Sequence, residues 1–208
     1  MVACSCSQGF AQRVNFIPEA GLGTSFMTTK LEGFPNNFGF AYKAGAALDI
    51  RLFKGLSVEP GLYYSERHNK LTAAYSPGDE ISPDLHFLDV RYLDIPLNVA
   101  YKLNFRKGNN SGLRFSAGAY YARPMQGRRT NIVNDKIGDT YIVKFGIDDY
   151  MLKENELGMN LGLGYEWSSG ILVHIKHTRG FTNITNATGM VLKNRTTLLT
   201  LAYRIGKK

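Results

Sequence analysis

The 208-residue sequence has no window approaching the roughly 18 apolar residues without a charge that a membrane-spanning helix needs. That excludes a transmembrane helix but not a transmembrane β-barrel, whose apolar residues are diluted by alternation with polar ones. Cysteine is confined to Cys4 and Cys6, inside the opening MVACSCSQGFAQ. Small residues ending in Phe10-Ala11-Gln12 look like the tail of a secretory signal peptide, so 1–12 is expected to be a signal-peptide remnant and 13–208 the folded domain. Acylation of Cys4, as in a lipoprotein, and a frayed terminus are the alternatives. Acidic residues are outnumbered, 17 Asp and Glu against 25 Lys and Arg, and the formal charge of +8 favours an anionic partner. The basic residues form neither a Lys/Arg cluster nor an aromatic-basic motif. No nucleic-acid partner is therefore expected, and a phosphate-rich membrane surface fits better. Metal-ligand spacing, a phosphate-binding loop and a catalytic-serine motif are also missing, so neither a metal nor a cofactor is expected.

What the sequence does have is apolar alternation with a period of two. In residues 90–105, Leu93, Ile95, Leu97, Val99, Tyr101, Leu103 and Phe105 share one face, and Tyr92, Asp94, Asn98, Ala100, Lys102 and Asn104 share the other. About 9 to 11 residues carry a tilted strand across the hydrocarbon, so this run can cross and continue past the headgroups. Seven more segments follow the same pattern: 13–27, 38–53, 56–67, 113–123, 155–167, 171–181 and a terminal segment from Thr196, with Ile17 breaking the alternation of the first. The connections alternate in length. Long ones fall at 28–37, 68–86, 124–154 and 182–193, and tight ones at Lys54-Gly55, 106–111 and 168–170. An up-and-down sheet then places all long loops at one end and all tight turns at the other, the asymmetry of outer-membrane barrels. The fold class expected is all-β, an eight-stranded antiparallel up-and-down transmembrane β-barrel, with 140–145 extending a strand above the membrane.

Alternation alone does not separate this barrel from a soluble lipocalin-like ligand-binding barrel with its apolar face inward. The polar face decides. It carries Glu19, Lys43, Asp49, Arg51, Glu59, Arg67, Asp94, Lys102, Arg114, Glu166, His174, Lys176 and Arg204, interleaved with Gly21, Gly23, Gly45, Gly61, Gly118, Gly162 and Gly164. Charges of both signs among glycines suit a narrow lumen, where small residues make room for ion pairs. On a soluble exterior the same glycines would only weaken the strands. Aromatics near strand ends on the apolar face, such as Phe16, Tyr64, Tyr101, Tyr121, Trp167 and Tyr203, suit interfacial girdles. The apolar face is therefore assigned to lipid, and the charged residues, His174 apart, to a lumen network that fills the interior.

The order and spacing of YLDIPL at 92–97, GLYYS at 61–65, GLGYEW at 162–167, RGFTNI at 179–184 and KNRTTLLTLAYRI at 193–205 resemble the PorT-like outer-membrane β-barrel family of Gram-negative bacteria. The resemblance implies a small cell-envelope barrel inserted by the barrel-assembly machinery. One branch of the family is implicated in protein secretion across the outer membrane. The chain departs from the usual pattern at its end, where Ile205-Gly206-Lys207-Lys208 replaces a terminal aromatic.

Chemistry has little to stand on. Asp84 and His86, with Asp79 and Glu80 nearby, resemble one half of the acid-histidine arrangement of outer-membrane aspartate-type proteases, but no facing acid pair is present. His174 and His177 invite comparison with lipid A deacylases, yet their three-residue spacing sends them to opposite faces. His174 is expected to hydrogen-bond in the lumen and His177 to sit at the interface. Asp148-Asp149 reads as an acidic loop. The expectation is therefore a non-enzymatic structural or interaction protein whose long loops bind lipopolysaccharide, an external surface or a protein partner. Arg128, Arg129, Lys136, Lys144, Lys193 and Arg195 would face lipid phosphates. An accessory role in secretion and a rim-located hydrolase are the alternatives.

Overall fold

A computed structural model describes residues 13–29, 38–72, 85–105, 110–133, 136–146, 152–186 and 191–206. These residues form nine strands: β1 (Val14–Thr29), β2 (Gly39–Phe53), β3 (Leu56–Thr72), β4 (Leu85–Asn104), β5 (Gly112–Val133), β6 (Lys136–Val143), β7 (Glu156–Glu166), β8 (Ile171–Gly180) and β9 (Leu192–Tyr203). All pair antiparallel in the order β4-β3-β2-β1-β9-β8-β7-β5-β6, and a further β4–β5 pairing closes the sheet on itself. Eight strands make the barrel. The ninth, β6, pairs with the outer part of β5 over Gly127–Val133, above the level where β5 pairs with β7 over Gly112–Ala122.

Alternation is what puts these segments into strands, and it also fixes which face is wet. Leu97, Leu199 and Leu201 point outward at 58%, 56% and 60% exposure, whereas Asp49 and Glu166 point inward at 1%. That is the reverse of a soluble barrel, whose leucines would be inside. The lipid-facing surface is bounded below by aromatics that include Phe16, Tyr101, Phe115, Tyr203 and the edge-to-face pair Tyr165–Trp167, 4.8 Å between centroids. Above, it is bounded by Phe40, Tyr42 and Tyr64. Amphipathic rings favour both headgroup levels. The tight turn at Lys54-Gly55 uses the left-handed backbone of Gly55 (φ 79°), which an L side chain resists.

Several strands run further than the apolar alternation. β3 continues to Thr72 and β4 starts at Leu85, inside the expected loop 68–86. β5 continues to Val133 and returns as β6, inside the expected connection 124–154. The physical reason is that sheet standing above the bilayer meets water, so the apolar code lapses where the hydrogen-bonded ladder does not. The segment 140–145, expected to extend a strand above the membrane, falls largely within β6.

Candidate functional site

Inward-facing side chains fill the lumen in three ionic tiers. In the tier nearest the tight turns, the Arg114 guanidinium from β5 donates to Asp49 of β2 at 2.8 Å, to Glu59 of β3, and to Glu166 of β7 at 3.3 Å. Arg204, just beyond β9, reaches Glu166 at 2.7 Å and Asp49 at 3.3 Å, and Lys102 of β4 reaches Glu166 at 2.6 Å. Asn15 donates to the other Asp49 oxygen at 3.0 Å. Every carboxylate here meets a cation, as burial of charge demands.

In the middle tier, Glu19 of β1 lies 2.5 Å from Lys176 of β8 and 3.4 Å from Lys43 of β2, whose ammonium also sits 4.6 Å above the Tyr63 ring. In the outer tier, Arg67 of β3 pairs with Asp94 of β4 at 2.9 Å and with Glu156 of β7 at 3.0 and 3.1 Å. Its guanidinium stacks 4.3 Å from the Tyr92 ring. Tyr120 and Asn194 donate to the Glu156 carboxylate, the latter at 2.7 Å.

Of the twelve residues assigned to the lumen network, eleven fall in these tiers. Arg51 does not: it lies at the turn-side mouth and forms no ion pair among the described residues. Glu156, absent from that assignment, is a central member of the outer tier. It shares parity with Gly158 and Glu166, which is the signal that would have found it. His174 corrects an expectation. It faces the lumen at 5% exposure, but neither ring nitrogen has a hydrogen-bond partner among the described residues. Its ring occupies the space left by the missing Cβ of Gly164, which would come 1.9 Å from His174 Cδ2. His177 faces outward and shares a hydrogen bond with Thr197 at 2.9 Å.

Apolar layers also enter the lumen. Ile17, Leu172 and Ala202 pack together on the β1, β8 and β9 side, which explains the break in alternation at Ile17. At the outer end, Met27, Leu88, Val90, Tyr92, Tyr120, Ala122 and Leu192 join Leu152 and Ile184 from the long connections in one buried cluster. Backbone bonds from Lys153 to Ile184 at 2.8 Å and from Ile184 to Leu192 at 2.9 Å hold those connections across the opening. The lumen is thus closed twice, by salt bridges and by an apolar cap.

The outer rim carries a second polar group that faces away from the lumen. Glu66 accepts from Tyr42, from Tyr64 at 3.4 Å and from Arg91 at 3.1 Å, and Arg91 donates onward to Gln126 at 2.8 Å. His68 lies between two carboxylates, 2.7 Å from Asp89 and 3.6 Å from Glu66. Nδ1 shares a hydrogen bond with Asp89, and Nε2 stands beyond hydrogen-bond distance of Glu66. Asp79, Glu80, Asp84 and Asp148-Asp149 lie outside the described residues; His86 lies in β4, its backbone opposite Leu71 and Asn131. Among the described residues, no group of three or more His, Cys, Asp or Glu is placed to hold a metal ion. Of the basic residues expected at the lipid phosphates, Arg128, Arg129 and Lys144 are exposed at the outer end. Lys193 and Arg195 are half-buried there, Arg195 lying 5.7 Å from the Phe26 ring, and Lys136 begins β6.

A lipid-facing leucine surface, aromatic belts and a salt-bridged lumen in a closed eight-stranded barrel define a small outer-membrane barrel. The chain belongs to the outer membrane protein beta-barrel domain family, which it matches over residues 6–186, and its place is the outer membrane. No curated protein matches it in sequence. Among solved structures, OprG from Pseudomonas aeruginosa shares the fold at 10% identity and a TM-score of 0.52, over 94% of this chain and 98% of that one. The neisserial surface protein NspA aligns at 11% identity and a TM-score of 0.47, over 92% and 97% of the two chains. Ail of Yersinia pestis aligns at 12% and 0.42, over 93% and 99%.

Proposed function

We propose that the protein is a structural and interaction protein, an outer-membrane anchor that works through its outer rim and long loops rather than through its lumen. The double closure of the interior carries this reading. An eight-stranded barrel has an interior just wide enough to be filled by side chains, and here ion pairs and an apolar cap occupy it. What the outer end offers for recognition is the wall of β3 to β6 that rises beyond the lipid-facing surface. Exposed Arg128 and Arg129 on that wall, and Arg195 at the outer end of β9, suit the phosphates of lipopolysaccharide or an anionic external surface, and the same loops offer a surface to a protein partner. Insertion is assigned to the barrel-assembly machinery and export to the leader in 1–12. No catalytic role belongs to this reading. A second reading, an accessory part in outer-membrane protein secretion, is favoured by the PorT-like motifs, 92–97 and 193–205 among them.

The test is a pull-down with the barrel held in neutral detergent, alongside retention on immobilised lipopolysaccharide. Retention that drops about tenfold when Arg128, Arg129 and Arg195 are all changed to Gln is the expected result, since charge-assisted contacts of this kind are each worth a large part of that factor. Co-purification of secretion components with no lipopolysaccharide retention would favour the second reading.

A further inference from the structure

The turn-side mouth of the barrel holds a cavity of about 650 Å³, on the face opposite the long loops. Its lining cations are Arg13, Arg51, Lys54, Lys102, Arg114 and Arg204. Its roof is the innermost ionic tier, in which Lys102, Arg114 and Arg204 are matched by Asp49, Glu59 and Glu166. Those three cations are neutralised. Arg13, Arg51 and Lys54 are not, because none of them forms an ion pair among the described residues. Arg204 adds a further donor: its Nε is buried and has no hydrogen-bond partner among the described residues. Among the described residues the cavity thus carries three unmatched cations beneath a roof that cannot relax toward them, since its carboxylates are already committed.

Asp49 also lines the cavity, so its charge is an excess of cations rather than one sign alone, and a concave site with such an excess, walled by low-dielectric sheet, concentrates counter-charge. Guanidinium groups present planar forks that match the paired oxygens of phosphate and carboxylate. We infer that this mouth is a binding site for a small multivalent anion, with phosphate or carboxylate oxygens held by Arg13, Arg51 and Lys54 and by the free Nε–H of Arg204. The apolar cap at the other end makes the site blind, so the anion is bound and not passed through. The ligand enters from the periplasmic side.

The experiment is calorimetric titration of the refolded barrel in neutral detergent with pyrophosphate, with citrate and with glucose as the uncharged control. Saturable binding near one anion per barrel is expected, with none for glucose. Pyrophosphate alone would assign the site to phosphate, and both anions together would assign it to charge without regard to the acid. Arg13→Gln with Arg51→Gln should weaken binding at least tenfold, as should Lys54→Gln with Arg51→Gln. None of the three touches the ionic roof, and heat-modifiable gel migration checks that each variant is folded. Arg128→Gln with Arg129→Gln, at the opposite end, should leave the affinity unchanged. Absence of saturable binding, or equal loss in the outer-end variant, would overturn the site. The titration uses the free barrel, so its failure leaves the reading of the outer rim untouched.

Discussion

Arg67 and Glu156, 89 residues apart, meet across the lumen, where the Arg67 Nη1 donates to both carboxylate oxygens at 3.1 and 3.0 Å, and both side chains are almost wholly buried. Removing one partner of a buried pair costs about 3 to 5 kcal/mol because the other is left uncompensated. Arg67→Met strands both Glu156 and Asp94 and should fall at the upper end of that range. Glu156→Gln leaves Arg67 with Asp94 and should cost less. Urea unfolding of the barrel in lipid vesicles measures both, and the reverse order would mean that Asp94 is not a working partner.

The orientation of the wall is tested on the lipid side. Leu97 is exposed at mid-strand on β4, and an arginine at the bilayer midplane of a barrel costs about 2 to 4 kcal/mol. Leu97→Arg should lower stability by that amount in vesicles. An arginine placed on a soluble protein's surface would be nearly neutral, so a cost below about 0.5 kcal/mol would contradict a lipid-facing β4.

Gly164 makes room for an imidazole. A Cβ there would meet His174 Cδ2 at 1.9 Å and the Val173 carbonyl oxygen at 2.3 Å. Gly164→Val should destabilise by about 1 to 3 kcal/mol through overpacking. Adding His174→Ala should recover part of that loss but not all of it, because the carbonyl contact remains. Full recovery in the double variant would show that the backbone yields freely.

Planar-bilayer recordings should show no stable, sizeable conductance from the intact protein. A steady open level would mean that the salt bridges and the cluster around Leu152 and Ile184 do not seal the lumen together.

Most of the barrel is written in residue parity. The lipid face of β4 from Leu93 to Leu103, the inward charges and the alternation of long and short connections all follow from counting by two, because lipid outside and a tight lumen inside constrain every residue. The cap was harder to read. Met27, Leu88 and Val90 hold the inward parity, yet they are apolar where the lumen below is polar. Leu152 and Ile184 belong to connections with no period at all, so nothing local marks them as inward. The outward group of Glu66, His68, Asp89 and Arg91 was illegible for the same kind of reason. It lies on strands that have left the lipid, where polar residues on the outer face no longer stand out, and its partners are set by register across three strands.

The innermost tier joins Asp49 of β2, Glu59 of β3, Lys102 of β4, Arg114 of β5 and Glu166 of β7 with Arg204 behind the last strand. Its three carboxylates have only two cations, Lys102 and Arg114, until the last strand brings Arg204. A barrel built strand by strand would hold Asp49 and Glu166 beside lipid with too few cations until the final strand arrived, and unpaired charge at that depth is strongly unfavourable. Assembly is therefore pushed toward all or nothing. The same charges that stop up the interior penalise every half-made wall, so closure of β9 against β1 and neutralisation of the interior become a single event.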